Sequence, residues 1–265
     1  MHQSPFRDGL FEGKVVFVAG GTSGINLGIA KRFAKLGARV AVCGRDPDKA
    51  ARAAAEIGHG ALGLSADVRD FGAIRGAMEQ VRNQLGPMDI VVSGAAGNFL
   101  APVLGMSANA FKTVVDIDLN GTFNVFRGCH DLLNLPGASL IAITAGQAVN
   151  PMQLQAHACA AKAGINQLVR VLALEWGPDV RVNGISPGPI EGTEGMARLA
   201  PDPSTKAKHT GRIAMKRWGE IDEIAEGAVF LCSDAARYVT GTVLDIDGGS
   251  QLGDATQRDV GKGLA

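Results

Sequence analysis

Tyrosine is almost absent from this chain: Tyr238 is the only one among 265 residues. Chemistry that relies on a phenol as proton donor therefore has one position from which to draw it. Charge of a prevailing sign is absent too, because 26 basic side chains face 26 acidic ones. Nucleic-acid and membrane-surface binding, which draw on a basic excess, lose their electrostatic basis. Long hydrophobic runs are missing: Val15 to Ala19 and Ile90 to Val92 fall far short of the roughly 20 residues that span a bilayer. Met1 to Arg7 lacks the apolar stretch of a secretory signal. Cys43, Cys129, Cys159 and Cys232 lie far apart with no C-x-x-C pair and no histidine cluster. Buried free thiols in a reducing compartment are expected, and no metal site. A soluble protein is therefore expected.

Glycine, by contrast, is abundant, with 36 residues or about twice the usual share of roughly 7%, while the 11 prolines are ordinary. Short Val- and Ile-rich runs alternate with longer amphipathic stretches. The strands expected are Val15 to Ala19, Arg39 to Cys43, Ala61 to Leu64, Ile90 to Ser93, Leu140 to Thr144, Arg181 to Ile185 and Val243 to Ile246. Helices are expected over Ile25 to Leu36, Pro47 to Ile57, Phe71 to Gln84, Ala108 to Leu133, His157 to Trp176 and Ile221 to Cys232. Strands without polar alternation are buried on both faces, as a parallel sheet covered by helices requires. The pattern predicts an α/β chain with a doubly wound parallel sheet, a three-layer αβα Rossmann fold in a single domain over 1–265. Asp46-Pro47 reads as a helix start, and Gly37 and Gly177 as helix stops. Glu191 to Arg212 breaks the rhythm and is expected to be a substrate lid or a surface insertion. Gln251 to Ala265 reads as a loose tail, or one tied down by a partner subunit.

After the first expected strand comes Ala19-Gly20-Gly21-Thr22-Ser23-Gly24-Ile25-Asn26-Leu27-Gly28, leading into a helix. Glycines there let the backbone approach a pyrophosphate, whose charge meets the free N–H groups of the helix start. The run resembles the T-G-x-x-x-G-I-G motif of the short-chain dehydrogenase/reductase family: Gly20, Gly24 and Ile25 match, Ala19 replaces the threonine and Asn26 the third glycine. Asn26 is expected to occupy space near the pyrophosphate. Asp67-Val68 looks like the family's adenine-contacting pair, Gly94-Ala95-Ala96 like its N-A-G stretch, and Pro187-Gly188-Pro189-Ile190 like its nicotinamide-side motif; Asp247-Gly248-Gly249 resembles its final strand ending. The resemblance implies a dinucleotide held by Gly20, Thr22, Ser23, Gly24, Ile25, Arg45, Asp67, Val68, Gly94, Ala95, Ala96, Lys162, Pro187, Gly188, Ile190 and Thr193. Val42-Cys43-Gly44-Arg45 ends without the acid that would accept a ribose hydroxyl, so NADP(H) is favoured, with Arg45 on the 2′-phosphate.

Most members of that family reduce carbonyls with an Asn, a Ser and a Tyr-x-x-x-Lys pair. Aligned through Lys162, this chain has Ala158 for the tyrosine, Ala145 for the serine and Asp118 for the Asn. The segments around these gaps, among them Phe111 to Asp118, Gly121 to Asn124 and His157 to Ala163, resemble the 2,4-dienoyl-CoA reductase branch, especially its peroxisomal type. That type also lacks the tyrosine and carries Asp at this position. Reduction of a conjugated carbon–carbon double bond sends hydride to carbon and leaves an enolate, so it needs an oxyanion site and a later proton to carbon. The resemblance therefore implies an NADPH-dependent reductase of an acyl-CoA. In it Asp118 relays the proton, Asn120 is one candidate donor to the thioester oxygen and Lys162 orients the ribose. Asp118 can act as an acid near neutrality if burial or a carboxylate such as Asp116 raises its pKa.

Two alternatives stay open: a carbonyl or alcohol oxidoreductase using Asp118 or His157 as its acid, and an inactive NADP-binding subunit. His157 reads first as a capping or packing residue. Lys206, Lys208, Arg212, Lys216 and Arg217 are candidates for the CoA phosphates or a solvated face. The family further implies a homotetramer built through the helices holding Asp118 and Lys162. Lys262-Gly263-Leu264-Ala265 does not read as a peroxisomal address, so a cytoplasmic location is expected.

Overall fold

Seven short strands meet in one parallel sheet in the order β3-β2-β1-β4-β5-β6-β7, in a computed structural model that describes residues 5–256. They are β1 (Val15–Ala19), β2 (Arg39–Gly44), β3 (Leu62–Ser65), β4 (Ile90–Ser93), β5 (Ala138–Ile143), β6 (Val180–Pro187) and β7 (Val243–Ile246). Every residue of β1, β4 and β5 is buried, because each side of the sheet carries helices. Along β1, Val15, Phe17 and Ala19 enter one core with Ile74 and Met78 of α3 (Phe71–Leu85), Phe126 of α5 (Gly121–Cys129) and Ile165 and Val169 of α6 (Ala156–Trp176). Val16 and Val18 enter the other, with Ile29 and Phe33 of α1 (Gly24–Lys35), Ala53 and Ile57 of α2 (Pro47–Ile57) and Ile224 and Val229 of α9 (Ile221–Cys232). The period-two alternation of a strand thus assigns its residues to two helical layers. Edge strand β3 is only half covered and is shifted by one residue from expectation.

Sequence order reverses between β1 and β4, so the loops after these strands diverge and open a crevice at their carboxyl ends. Helix starts follow local chemistry: the Asp46 side chain accepts from Lys49 N (3.0 Å), and Asp70 likewise from Ala73 N (3.0 Å). Gly37 takes a positive φ of 96° just past α1, a conformation that stops a helix at little cost only for glycine.

The structure corrects two expectations and adds detail to a third. The helix expected over Ala108 to Leu133 is interrupted. α4 (Ala108–Val115) passes through a π turn over Asp116–Asn120 into α5, and a short 3₁₀ turn follows. The extra residue in that turn offsets the faces of the two halves, and π turns concentrate at functional sites. The excursion at 191–212 folds as α7 (Glu194–Leu199) and α8 (Pro203–Arg212). Asp202 starts α8 by accepting from Ser204 N and Thr205 N (both 2.9 Å), and Pro203 sits at its first position. The described part of the tail is tied down, since Gln251 N donates to Asp247 Oδ2 (2.9 Å) and Ala255 N to Arg212 O (3.1 Å). The rest of it lies outside the described residues. No helix among the described residues is long and apolar enough to cross a membrane.

Candidate active site

A cleft of about 960 Å³ opens at the carboxyl ends of β1, β4, β5 and β6. Its floor is backbone. Gly20 at φ 76° runs so close to β4 that a Cβ there would lie 2.6 Å from Ala95 N, and one on Gly188 would meet the Asp247 backbone. Gly24 at φ 56° has open space where a side chain would stand, and α1 begins there with unsatisfied N–H groups aimed outward. Together these make a cradle for a phosphate-bearing dinucleotide.

Among the residues expected at the cofactor, Ser23, Gly24, Ile25, Gly94, Ala96, Lys162, Pro187, Gly188 and Thr193 line the cleft. Gly20, Thr22 and Ala95 stand behind them. Arg45, Asp67 and Val68 lie away from the cleft at the ends of β2 and β3. Arg45 is exposed, and Asp67 is paired with Arg69 (Nη2 to Oδ2 2.5 Å), whose hydrogen bonds hold its carboxyl below the usual carboxylate range. Gly44 matters at this end, because a Cβ on it would lie 2.8 Å from Thr22 Cγ2. The Ile190 side chain packs into the core, and its backbone bridges to Gly219 where the chain leaves the cleft.

Asp118, in the π turn, is 1% exposed and faces the cleft. Its Oδ1 accepts from Gly97 N (2.7 Å) and its Oδ2 lies 3.2 Å from Lys162 Nζ. Lys162 on α6 also donates to Ile143 O at the end of β5 (3.1 Å). A buried charge without a partner is costly, so each member of this pair keeps the other in place. Ala158 and Ala145, at the positions of the missing tyrosine and serine, line the wall beside it. Tyr238 is fully exposed and absent from that wall.

Asn120 is not brought to the site. It is exposed and donates to Asp116 Oδ1 (2.9 Å), while Lys112 holds Asp116 Oδ2. Residues two apart on a helix face opposite ways and residues four apart share a face, so an inward Asp118 turns both Asn120 and Asp116 outward. Asp116 therefore does not press on Asp118. The Lys112 ammonium lowers its pKa.

His157 is fully buried, its ring 4.2 Å from that of Phe99 with edge-to-face geometry and its Nδ1 accepting from Ala158 N (2.7 Å). It packs behind the wall, which removes it as the acid at the cleft. Asn26 is largely buried on the inner face of α1 and still reaches the cleft beside Ser23, Gly24 and Ile25.

The turn after β5, which holds Ala145, brings further residues to the cleft. Gln147, Asn150 and Met152 line the cleft, and Gln155 behind them accepts from Asn98 (2.7 Å) and Gln147 (3.3 Å). No motif marks such a turn. Over the opening stand Met196 and Leu199 of α7 and His209 and Arg212 of α8. Lys206 is engaged by Glu191 (2.5 Å) and lies 4.7 Å above the Trp218 ring; Arg217 pairs with Glu223 (2.5 Å), and Lys216 bonds the carbonyls of Gly211 and Ala255. Of the five cations, Arg212 alone lines the cleft. All four cysteines are free, and burial pushes the Cys43 and Cys232 thiols up to about 12.

Comparison with known proteins adds the following. The family model described as enoyl-(acyl carrier protein) reductase matches residues 19–251. The chain is 41% identical over 264 residues to the peroxisomal 2,4-dienoyl-CoA reductase [(3E)-enoyl-CoA-producing] of Rattus norvegicus, covering 97% of this chain and 89% of the rat protein. It is 40% identical to that of Saccharomyces cerevisiae, covering 93% and 87% of the two chains. The probable 2,4-dienoyl-CoA reductase [(2E)-enoyl-CoA-producing] of Bacillus subtilis is 34% identical, with 91% and 98% covered. Among solved structures, a short-chain dehydrogenase from Bacillus anthracis superposes with TM-score 0.81 at 36% identity, covering 90% of this chain and 96% of the other.

Proposed function

Because the chain belongs to the short-chain dehydrogenase/reductase family, in the group described as enoyl-(acyl carrier protein) reductase, we propose that it reduces the conjugated double bonds of a 2,4-dienoyl-CoA with NADPH. The observation that carries this reading is the cleft wall itself. A buried Asp118–Lys162 pair stands beside Ala145 and Ala158, in a chain 41% and 40% identical to the rat and yeast peroxisomal 2,4-dienoyl-CoA reductases. A wall with alanine at 145 and 158, where a hydroxyl and a phenol would stand, suits a reaction whose proton goes to carbon rather than to a carbonyl oxygen.

The glycine-walled cradle fits a nicotinamide dinucleotide, with Gly24 and the start of α1 for its phosphates and Pro187, Gly188 and Thr193 at its nicotinamide end. When bound, that group supplies the hydride. Lys162, fixed by Ile143 O and Asp118, orients the ribose and keeps a positive charge beside the reacting carbons. Asp118 and Lys162 act as one unit: the carboxylate holds the ammonium, and the pair passes a proton to carbon, directly or through water. The thioester oxygen is left to N–H donors of the wall, because Asn120 faces away. NADPH is favoured over NADH because a side chain at Gly44 would press on Thr22, which leaves no carboxylate there to repel a 2′-phosphate, while Arg45 stands exposed beside it. The (3E)-enoyl-CoA is the product favoured, by likeness to the relatives so named.

The enzyme is further read as a homotetramer of the cytoplasm. Free thiols support a reducing compartment, and exposed Phe111, Phe123 and Leu174 on α4, α5 and α6 support association. The deciding experiment incubates the protein with NADPH and a trans-2,trans-4-dienoyl-CoA, follows loss of reduced-nicotinamide absorbance and locates the product double bond. Turnover is expected. Turnover with ketones alone would replace this reading by carbonyl reduction, and coenzyme binding without turnover on either by an inactive subunit.

A further inference from the structure

Asn26 stands on the buried stripe of α1, one turn before Ile29 and Ala30 and two before Phe33. The NH2 of a buried amide needs acceptors, and Asn26 Nδ2 has them in the turns after β1 and β4: it donates to Gly94 O at 2.7 Å and reaches Gly20 O at 3.4 Å, while Oδ1 has no hydrogen-bond partner among the described residues. Gly94 N in turn donates to Ala19 O (3.0 Å). One side chain therefore ties the turn after β1 to the turn after β4, the two segments that form the cradle floor.

The contact is also steric. A Cβ built on Gly94 would overlap the Asn26 carboxamide, so the amide fills the volume that a side chain at 94 would need. An amide at 26 requires glycine at 94. Glycine at 26 would in turn vacate space beside Gly94 and remove the donor to two carbonyls. In the motifs this chain resembles, the position of Asn26 is glycine and that of Gly94 is asparagine. The same two residue types are present here in exchanged places.

We propose that Asn26 and Gly94 form one reciprocal unit, in which the amide that joins the cofactor loop to β4 is supplied from helix α1 instead of from the strand end. Asn26 is thus a positioning residue. It sets the distance of the Gly20–Gly24 turn from β4, and with it the fit of the coenzyme pyrophosphate. The inference rests on reading the cleft as a dinucleotide site, but not on which substrate is reduced.

The test is a double-substitution cycle read by calorimetric NADPH binding and by thermal melting of the coenzyme-free protein. Asn26→Gly is expected to weaken NADPH binding about tenfold, as when buried carbonyls lose a donor. Gly94→Asn alone, which forces two amides into one space, should bind more weakly still. The double variant Asn26→Gly/Gly94→Asn should recover to within about threefold of native affinity. Asn26→Asp keeps the shape but sets an acceptor against Gly94 O, and should lose at least as much affinity as Asn26→Gly. Native protein that binds no dinucleotide would sink the reading of the cleft. Native binding with no dienoyl-CoA turnover would sink the substrate and leave this unit intact. The unit itself is overturned if the double variant is no better than Asn26→Gly, if Asn26→Asp binds like native, or if the variants lose melting temperature while keeping native affinity.

Discussion

Asp118 has its two carboxylate oxygens committed to different partners, Gly97 N and Lys162 Nζ. An Asp118→Asn variant keeps an acceptor for Gly97 but removes the charge that holds the ammonium. If the pair moves the proton, kcat should fall by about 100-fold or more, the scale of lost general acid–base catalysis, while the NADPH dissociation constant stays within a few fold. Steady-state kinetics beside direct coenzyme titration separate the two. Arg45 makes the second prediction at this scale. Arg45→Ala should weaken NADPH binding by roughly tenfold or more, the worth of a hydrogen bond to a charged group, and leave NADH unchanged. The ratio of the two dissociation constants reads it out. Much at this scale was legible in the sequence: residue type marks the glycine loop and the single tyrosine, and the family resemblance marks Lys162. The outward turn of Asn120 was legible as well, since helical spacing sets residues 118 and 120 on opposite faces.

Elements are joined by a few cross-layer contacts, of which Arg75 is the clearest. From α3 it donates to Gly128 O (2.9 Å) and to Asp131 Oδ2 (2.8 Å), fastening α3 to the end of α5. Hydrogen bonds from Arg75 draw the Asp131 carboxyl down to about 2. A carboxyl whose folded pKa lies below its unfolded value of about 4 adds stability above that pH, and the gain is lost as pH falls toward 2. Asp131 is 61% exposed, so solvent screening holds the gain to about 1 kcal/mol or less. Asp131→Asn should therefore melt a few degrees or less below native near neutrality, and the difference should shrink as pH drops from about 4 toward 2. Melting curves across that range check it. Element type and order were legible from period and turn residues. The π turn was not, because nothing in Asp116–Asn120 distinguishes it from an α-helical turn until α6 packs against it.

On the scale of the molecule, α4, α5 and α6 leave Phe111, Phe123, Val171 and Leu174 in water, Leu174 at 85% exposure. Val171 and Leu174 are three apart and share a face of α6. Tetramers formed through this layer would cover them, so Leu174→Asp should shift the sedimentation coefficient toward smaller species. The wild-type chain should sediment as a tetramer, and a monomer at micromolar concentration would remove the basis for that assembly. Over the opposite rim, α7 and α8 bring Met196, Leu199 and Arg212 to the cleft, so the segment that breaks the αβ rhythm is the one standing over the opening.

By itself the sequence determined what depends on local order: buried strands, amphipathic helices, a glycine turn at the first strand's end, and a chain with no phenol to place at position 158. Tertiary structure decided the pairings between distant segments. It set Asp118 of the π turn against Lys162 of α6, turned Asn26 inward onto Gly94, and drew the turn after β5 into the wall. The physical reason is that apolar period and turn chemistry are written over a few residues, whereas a buried polar group takes its partner from whichever element the packed layers bring to it.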